Sequence, residues 1–432
     1  MSNQKQPMIS YGTKKLLGAY PQRQEGLFMQ RIPLLGGRIE AAQLRHIARL
    51  ARVYAGGAPL HITTRQDIEL HNIAEAHAAT VQANLAMIGI STYGAGGDSV
   101  RNITVCPCCA FDPSAVDVMP LAQQVRDAIL AAADKLDLPR KFKISFSGCK
   151  GGGARLYLQD LGFVALTPES IRVVGAGSLG PRPQTGIVLV ESIAPDDVMP
   201  LIWAALEVFA EHGDRDNRRT ARLRHIRQRV GDAVFKTMLE DAFHKQKALA
   251  VRPPVRLRNG QGGFEKRFTL QTLGGKLTCA QAMLLADMAE NESVYLRINL
   301  WHGIDLYSRS PFDLPEELRL LTGRPRIIAC PGSSTCKNGL TDCRAAAEAM
   351  AEVLSRTGKM NLTVGISGCA NHCALSAVCD VGLAGRQRTI DGVRQEAYDI
   401  YLSGGNGADE RLAERKETVA ATELTRYFEA LE

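Results

Sequence analysis

The chain lacks the long apolar run of a membrane protein, since no stretch approaches the roughly 18 consecutive apolar residues that a spanning helix needs. Its first 15 residues, MSNQKQPMISYGTKK, hold no apolar segment of the kind a secretory signal requires. A cytoplasmic protein without a membrane span is therefore expected. Charge of one sign is also scarce. Lysine and arginine number 52 against 45 aspartates and glutamates, a net charge of +7. That excess is too mild to require nucleic acid, and no nucleic-acid-binding motif accompanies it; it suits an acidic cofactor or substrate equally well. With 45% hydrophobic and 22% charged residues, the composition is globular, which argues against wholesale disorder and against fibrous repeats. A length of 432 residues, at roughly 150 residues per domain, predicts about three domains.

What the chain does have is cysteine. Eleven cysteines without an export signal argue for metal or cofactor ligation over a disulfide framework, because the cytosol keeps thiols reduced. Cys106, Cys108, Cys109 and Cys149 fall in the first half, Cys279 stands alone, and Cys330, Cys336, Cys343, Cys369, Cys373 and Cys379 cluster late. Two cysteine-bearing regions suggest a duplicated unit.

The order of segments supports duplication. Residues 28 to 73 read as a strand (FMQRIPL), a turn at Gly36 and Gly37, a helix (AAQLRHIARLARVYA) and one extended segment, HITTRQDIELHNI. Residues 264 to 307 repeat it as FEKRFTLQTL, Gly274 and Gly275, CAQAMLLADMAE and VYLRINLWHGIDLYS. Beyond each copy a cysteine-bearing stretch leads into a matching phrase: KFKISFSGCKGG then QDLGFVAL, and LTVGISGCANHC then CDVGLAGR. A basic, apparently helical segment joins the two halves. The expected domains are 1–95 (first half-repeat with an N-terminal arm), 96–200 (first lobe), 201–263 (helical linker), 264–325 (second half-repeat) and 326–432 (second lobe).

Cys330 and Cys336 are separated by five residues, and Cys369 and Cys373 by three. Two short-spaced pairs direct four sulfurs toward one point, as an iron–sulfur cluster requires. Spacing alone leaves zinc and unligated core cysteines open, although structural zinc sites favour tighter spacings.

The motifs ACPGSSTC, ISGCANHC and DVGLAG resemble the signature of the sulfite and nitrite reductase family, and HITTRQDIELHNI, SVRNI, LPRKFK and GDRDNRRTARLRHIRQRVGDAVFK match it in the same order. The resemblance implies an α+β (mixed α/β), internally duplicated fold. Two ferredoxin-like half-repeats would pair into one domain, with two larger lobes binding siroheme and the cluster. It implies one 4Fe-4S cluster on Cys330, Cys336, Cys369 and Cys373, with Cys373 also bridging to the siroheme iron, which holds electrons beside a substrate that accepts several in sequence. Asn371, in the same turn, is expected either to orient part of the macrocycle or to take a left-handed turn conformation.

Siroheme carries eight carboxylates and the substrates are anions. The resemblance places Arg65, Arg101, Lys141 and Lys143 on the substrate side, as the groups that bind the oxyanion and supply protons. In KFK the two lysines alternate along a strand and so share a face. Arg31 and Arg140 are expected near siroheme carboxylates. Of the seven arginines from Arg215 to Arg229, Arg218 and Arg222 are favoured as cofactor contacts, being four apart on one helical face.

Plant-type nitrite reductases typically have asparagine at the place of Lys143, whereas sulfite reductases keep lysine. The resemblance therefore implies six-electron reduction of sulfite, with nitrite as the alternative substrate. A precorrin-3B synthase and a non-catalytic subunit are remoter readings, since the basic quartet is complete. Neither a ferredoxin-type module of C-x2-C repeats nor a flavin or nicotinamide domain is evident, so electrons are expected from a separate ferredoxin or flavoprotein reductase. The C-x-C-C spacing of Cys106, Cys108 and Cys109 is awkward for aiming adjacent sulfurs at one centre. A second cluster there is not expected, and these cysteines read as remnants of duplication or buried apolar groups.

Overall fold

The computed structural model describes residues 11–149, 153–249, 254–390, 392–405 and 410–430. A short helix, α1 (Tyr11–Leu16), and strand β1 (Ala19–Pro21) lead into the first half-repeat. It comprises β2 (Leu27–Pro33), β3 (Arg38–Ile39), α2 (Ala41–Tyr54), β4 (Leu60–Ile62), β5 (Asp67–Ala74) and α3 (Ala78–Met87). The first lobe follows with β6 (Thr104–Val105), β7 (Val116–Asp117), α4 (Met119–Ala131), β8 (Ile144–Ser147), β9 (Leu161–Thr167), β10 (Ser170–Gly175), β11 (Ile187–Ile193) and α5 (Val198–His212). Helices α6 (Leu223–Val230) and α7 (Asp232–Leu249) and strand β12 (Arg258–Asn259) complete the first half of the chain. The second half-repeat is β13 (Glu265–Gln271), β14 (Lys276–Leu277), α8 (Cys279–Asn291), β15 (Tyr295–Ile298), β16 (Gly303–Ser308) and α9 (Glu316–Arg319). The second lobe is β17 (Arg326–Ala329), α10 (Cys343–Thr357), β18 (Thr363–Ser367), β19 (Val381–Ile390), β20 (Val393–Leu402), β21 (Glu414–Ala420) and α11 (Leu424–Glu429). No helix among the described residues is long and apolar enough to cross a membrane.

The half-repeats pair by exchanging strands. One sheet runs β1-β2-β5-β4-β14 and the other β13-β16-β15-β3, so each carries an edge strand from the opposite repeat. A glycine pair makes the exchange possible. Gly36 and Gly37, and Gly274 and Gly275, all have φ between 55° and 81°, where a Cβ meets the carbonyl. A Cβ on Gly37 would stand 2.1 Å from the Ile298 carbonyl oxygen. Each turn then delivers its chain to a helix. Thr278 accepts a hydrogen bond from the Gln281 amide at 3.1 Å and donates its own to the Gln281 side chain at 3.0 Å, a reciprocal cap that starts α8. On α2, Leu44, Ile47, Ala48 and Ala51 recur at helical spacing and join Leu285 and Ala286 of α8 in one shared core.

The extended segments of the sequence reading, 61–73 and 294–308, are hairpins: β4 pairs antiparallel with β5, and β15 with β16. Their turns place Gln66 (φ 62°) and His302 (φ 60°) in the left-handed region. No glycine or proline lies in the first corner, and in the second only Gly303 does, directly after the left-handed His302, so the alternating pattern reads through both.

The lobes share one topology. Their sheets run β6-β8-β9-β10-β11 and β17-β18-β19-β20-β21, parallel across the first three strands and antiparallel after. Helix α5 runs across the boundary expected at residue 200, because Leu201, Ile202, Ala205 and Phe209 fill the first lobe's core. Helix α7 covers that region with Phe235 and Leu239.

Gly37→Ala is expected to destabilise the protein by about 2–4 kcal/mol, the cost of a left-handed Cβ plus overpacking. Denaturant unfolding monitored by circular dichroism checks it. Gly56→Ala, at a positive φ with nothing within 4 Å of its Cβ, should cost only the backbone part.

Candidate active site

A cleft of about 1170 Å³ opens where the half-repeat domain meets both lobes, larger than most small-molecule pockets. Eleven lysines and arginines line it against four aspartates and glutamates. The four cysteines and eight basic residues singled out from the sequence all reach this one cleft.

Cys330, Cys336, Cys369 and Cys373 form one end of it. Cys330 follows β17, its amide donating to the Ile366 carbonyl at 3.0 Å, and its sulfur accepts the Gly368 amide at 3.1 Å. Cys336 follows a short 3₁₀ helix, Gly332–Ser334, and its amide donates to the Gly332 carbonyl at 3.1 Å. The two loops touch: a Cβ on Gly368 would lie 2.7 Å from Gly332 Cα, so glycine is required for this approach. Burial pushes the Cys369 thiol up to about 11. Cys373 is exposed into the cleft, and its carbonyl accepts from Thr64 Oγ1 at 3.2 Å, which ties this cysteine loop to the β4–β5 hairpin. Cys343 and Cys379 are buried in the apolar cores of this region and do not line the cleft. Asn371 does line it. The left-handed positions of its turn are His372 (φ 52°) and Leu375 (φ 65°), not Asn371.

The basic quartet converges on the neighbouring wall. Phe142 is fully buried in the first lobe's core, which turns Lys141 and Lys143 to the opposite side, into the cleft. Among the described residues neither ammonium pairs with a carboxylate. Burial, then the Arg222 and Arg101 guanidinium groups, pull the Lys141 ammonium down to about 7. Burial, then Arg65 and Lys141, hold Lys143 well below the usual lysine range. Arg65 donates to Gln159 Oε1 at 2.9 Å and to the Asn102 carbonyl. Arg101 donates to the carbonyls of Ala95 at 3.0 Å and Gly97 at 2.7 Å, while its buried Nε has no partner.

The remaining arginines are anchored by carboxylates. Arg31 pairs with Glu69 at 2.8 Å, Arg218 grips Asp98 with two bonds of 2.8 and 2.9 Å, and Arg140 lies 3.6 Å from the same Asp98. Arg218 and Arg222 do not share a helical face. Arg218 sits in a turn, and Arg222 is the extended residue before α6, with φ −84° and ψ 156°. Arg222 is buried against the fully buried Asp160, with Nη2–Oδ2 at 2.6 Å, and Asp160 also accepts the Lys143 amide at 2.8 Å.

The first-lobe cysteines depart from expectation. Cys106, Cys108 and Cys149 bring their sulfurs within 4.8 Å of one another, outside the cleft. The C-x-C-C spacing does not prevent this, because Cys149 arrives from the end of a neighbouring strand. Of the SGCKGG phrase, residues 150–152 lie outside the described residues.

Two family descriptions match the chain: "Nitrite and sulphite reductase 4Fe-4S domain" over residues 96–247 and 324–431, and "Nitrite/Sulfite reductase ferredoxin-like half domain" over 20–88. The chain belongs to the nitrite and sulfite reductase family. Relatives carry both activities in their names. The assimilatory ferredoxin-dependent nitrite reductase of Haloferax mediterranei is 29% identical, over 93% of this chain and 78% of its own. The sulfite reductase [ferredoxin] of Mycobacterium tuberculosis is 25% identical, over 95% and 83%. The solved structure of the Mycobacterium tuberculosis NirA protein has the same fold, with a TM-score of 0.83 at 22% identity, over 96% of this chain and 85% of that one.

The chemistry of the cleft fits the groups that membership of this reductase family implies, an iron–sulfur cluster and siroheme. Four thiols are available from two tight loops. Cations outnumber carboxylates around a cavity large enough for a polycarboxylate macrocycle, and the buried Arg101 Nε lacks a partner of its own. Sequence reasoning missed Arg155, which is buried at φ 55°, stacks 3.7 Å over Trp301 and lines the cleft. It also missed the histidines 61, 71 and 302. His61 packs edge-on against the other two rings, and burial lowers it to about 4, which keeps it neutral. His61 and His71 lie in the HITTRQDIELHNI phrase, but no local spacing marks them.

Asp160→Asn should leave Arg222 buried without its counter-charge and destabilise the reductase by about 3–5 kcal/mol. Thermal unfolding of the variant, compared with Asp98→Asn at the more exposed pair, measures the difference.

Proposed function

We propose that this reductase carries sulfite to sulfide by six-electron reduction, with Cys330, Cys336, Cys369 and Cys373 holding one 4Fe-4S cluster and Cys373 shared with siroheme iron. The observation that carries this reading is the pair of unpartnered ammonium groups, Lys141 and Lys143, set beside Arg65 and Arg101 and electrostatically coupled to the Cys373 thiol.

When bound, the coupled cofactors supply electrons and an iron site for the substrate. The protein's part is charge and protons. Arg65 and Arg101 are held by carbonyl and amide acceptors, so they keep full charge and fixed direction as preorganised donors to an oxyanion. Lys141, lowered to about 7, gives up and regains a proton at neutral pH, which suits it to protonate departing oxygens. An entering anion stabilises the charged form of both lysines and so recruits protons as it binds. Sulfite, more highly charged than nitrite, makes fuller use of a second lysine. Arg31, Arg140, Arg218 and Arg222, together with Asn371, are proposed as contacts of the macrocycle and its carboxylates. A ferredoxin is proposed as the electron donor, in keeping with the relatives' names.

Nitrite is the second reading. It is favoured by relatives named as nitrite reductases, at 29% and 28% identity.

Changing Cys373 to Ser should remove or strongly perturb both the siroheme band and the cluster's electron paramagnetic resonance signal, whereas Cys343→Ser and Cys379→Ser should leave both in place. The reverse pattern would refute the ligand set. Substrate choice is tested at Lys143. Lys143→Asn should lower sulfite turnover by roughly 100-fold to 10,000-fold and nitrite turnover less, with the siroheme spectrum nearly unchanged. An unchanged ratio of the two rates, or a wild-type enzyme that prefers nitrite by a wide margin, assigns the chain to nitrite reduction.

A further inference from the structure

The two lobes place a cysteine pair at the same point of the same topology. In the second lobe the Cys330 amide donates to the Ile366 carbonyl at 3.0 Å and the Gly368 amide donates to Cys330 Sγ at 3.1 Å. In the first lobe the Cys106 amide donates to the Phe146 carbonyl at 3.1 Å and the Gly148 amide donates to Cys106 Sγ at 3.2 Å. Cys149 follows Gly148 as Cys369 follows Gly368. An N–H aimed at sulfur is the kind of contact that steadies a metal-bound thiolate.

The lobes differ in how far the sulfurs spread. No three of the four cleft cysteines bring their sulfurs within 4.8 Å of one another, whereas Cys106, Cys108 and Cys149 do. Cys108 Sγ lies 2.7 Å and Cys106 Sγ 3.4 Å from Cys149 Sγ. A cubane binds each thiolate to a different iron and needs the wider arrangement. A single tetrahedral ion with metal–sulfur bonds of about 2.3 Å holds its sulfurs about 3.8 Å apart, which the first-lobe trio reaches by opening slightly. A Cys108–Cys149 disulfide, at about 2.05 Å, would engage only two sulfurs and leave the hydrogen-bonded Cys106 out.

We propose that Cys106, Cys108 and Cys149 hold one zinc ion in a structural site separate from the active-site cleft, with Cys109 or water in the fourth position. Cys109 is fully buried and follows Cys108 directly. Thiolate-rich tetrahedral sites suit zinc, which adds no redox chemistry beside an electron-transfer centre. The location gives the ion a task. The loop it would pin carries Phe111, which stacks on Tyr307 of β16 at 4.3 Å and lies 4.9 Å beneath the Arg297 guanidinium of β15. Ala110 in the same loop accepts the Gln261 amide at 2.9 Å. One ion would thus clamp the first lobe against the second half-repeat.

The holoenzyme, purified without metal-affinity resin, is analysed for zinc and iron and by zinc K-edge X-ray absorption. About one zinc per chain is expected, with three or four sulfurs at about 2.3 Å. Four sulfurs identify Cys109 as the last ligand, and three with one light atom identify water. Cys108→Ala and Cys149→Ala should each lower zinc at least tenfold while the siroheme and cluster spectra persist, and Cys279→Ala should leave it unchanged. Zinc below a tenth per chain overturns the proposal, whether mass spectrometry then finds a Cys108–Cys149 disulfide or iron analysis finds one rubredoxin-like iron or four further cluster irons. Zinc retained by both alanine variants overturns it as well. If those variants fail to fold, the wild-type absorption spectrum still decides.

Discussion

Positive charge held inside a cleft with too few carboxylates to offset it is the constraint around which the rest of the structure is arranged. A buried ammonium without a counter-charge is unfavourable, and Lys141 and Lys143 register that cost in their lowered proton affinity. The protein limits the damage by giving other arginines of the cleft carboxylate partners, such as Asp160 for the buried Arg222 and Asp98 for the exposed Arg218. Only the innermost cations are left for an incoming anion. Stability is thereby given up locally in return for a site whose charges are already in place when cofactor and substrate bind.

Such a site needs rigid walls, and the duplicated architecture provides them. Strand exchange locks the half-repeats into one domain, because each sheet is completed by a strand of the other. The lobes carry separate cores and turn different strand ends to the common cleft: the second lobe the loops after β17 and β18, the first the segments before β6 and β8. Their chemistry has diverged on that shared frame. The second lobe spreads four thiols toward the cleft, while the first gathers three away from it and instead turns the KFK lysines inward.

Some of this was legible because it depends on short spacings. The pairs of Cys330 with Cys336 and of Cys369 with Cys373 each sit on one tight loop, so local sequence carries the geometry. Lys141 and Lys143 flank a phenylalanine that must be buried, so alternation alone puts both on one face. The repeat of strand, glycine pair and helix was readable for the same reason, since positive-φ glycines and helical apolar periodicity leave local marks.

What the sequence by itself determined was therefore the family, the duplicated fold and those cleft residues that short motifs mark, not Arg155 or the histidines 61, 71 and 302. Tertiary structure alone decided which cations are free and which are spent. Arg222 finds Asp160 across 62 residues and caps α6 instead of riding on its face. It also decided that the non-glycine residues Gln66 and His302 take the left-handed corner positions, that β3 and β14 leave their own repeats, and that Cys149 meets Cys106 and Cys108. The reason is common to all of these. Ion pairing, left-handed turns at ordinary residues and thiol convergence depend on partners brought together through space by sheet register and core packing, and no local spacing encodes a partner that the fold itself delivers.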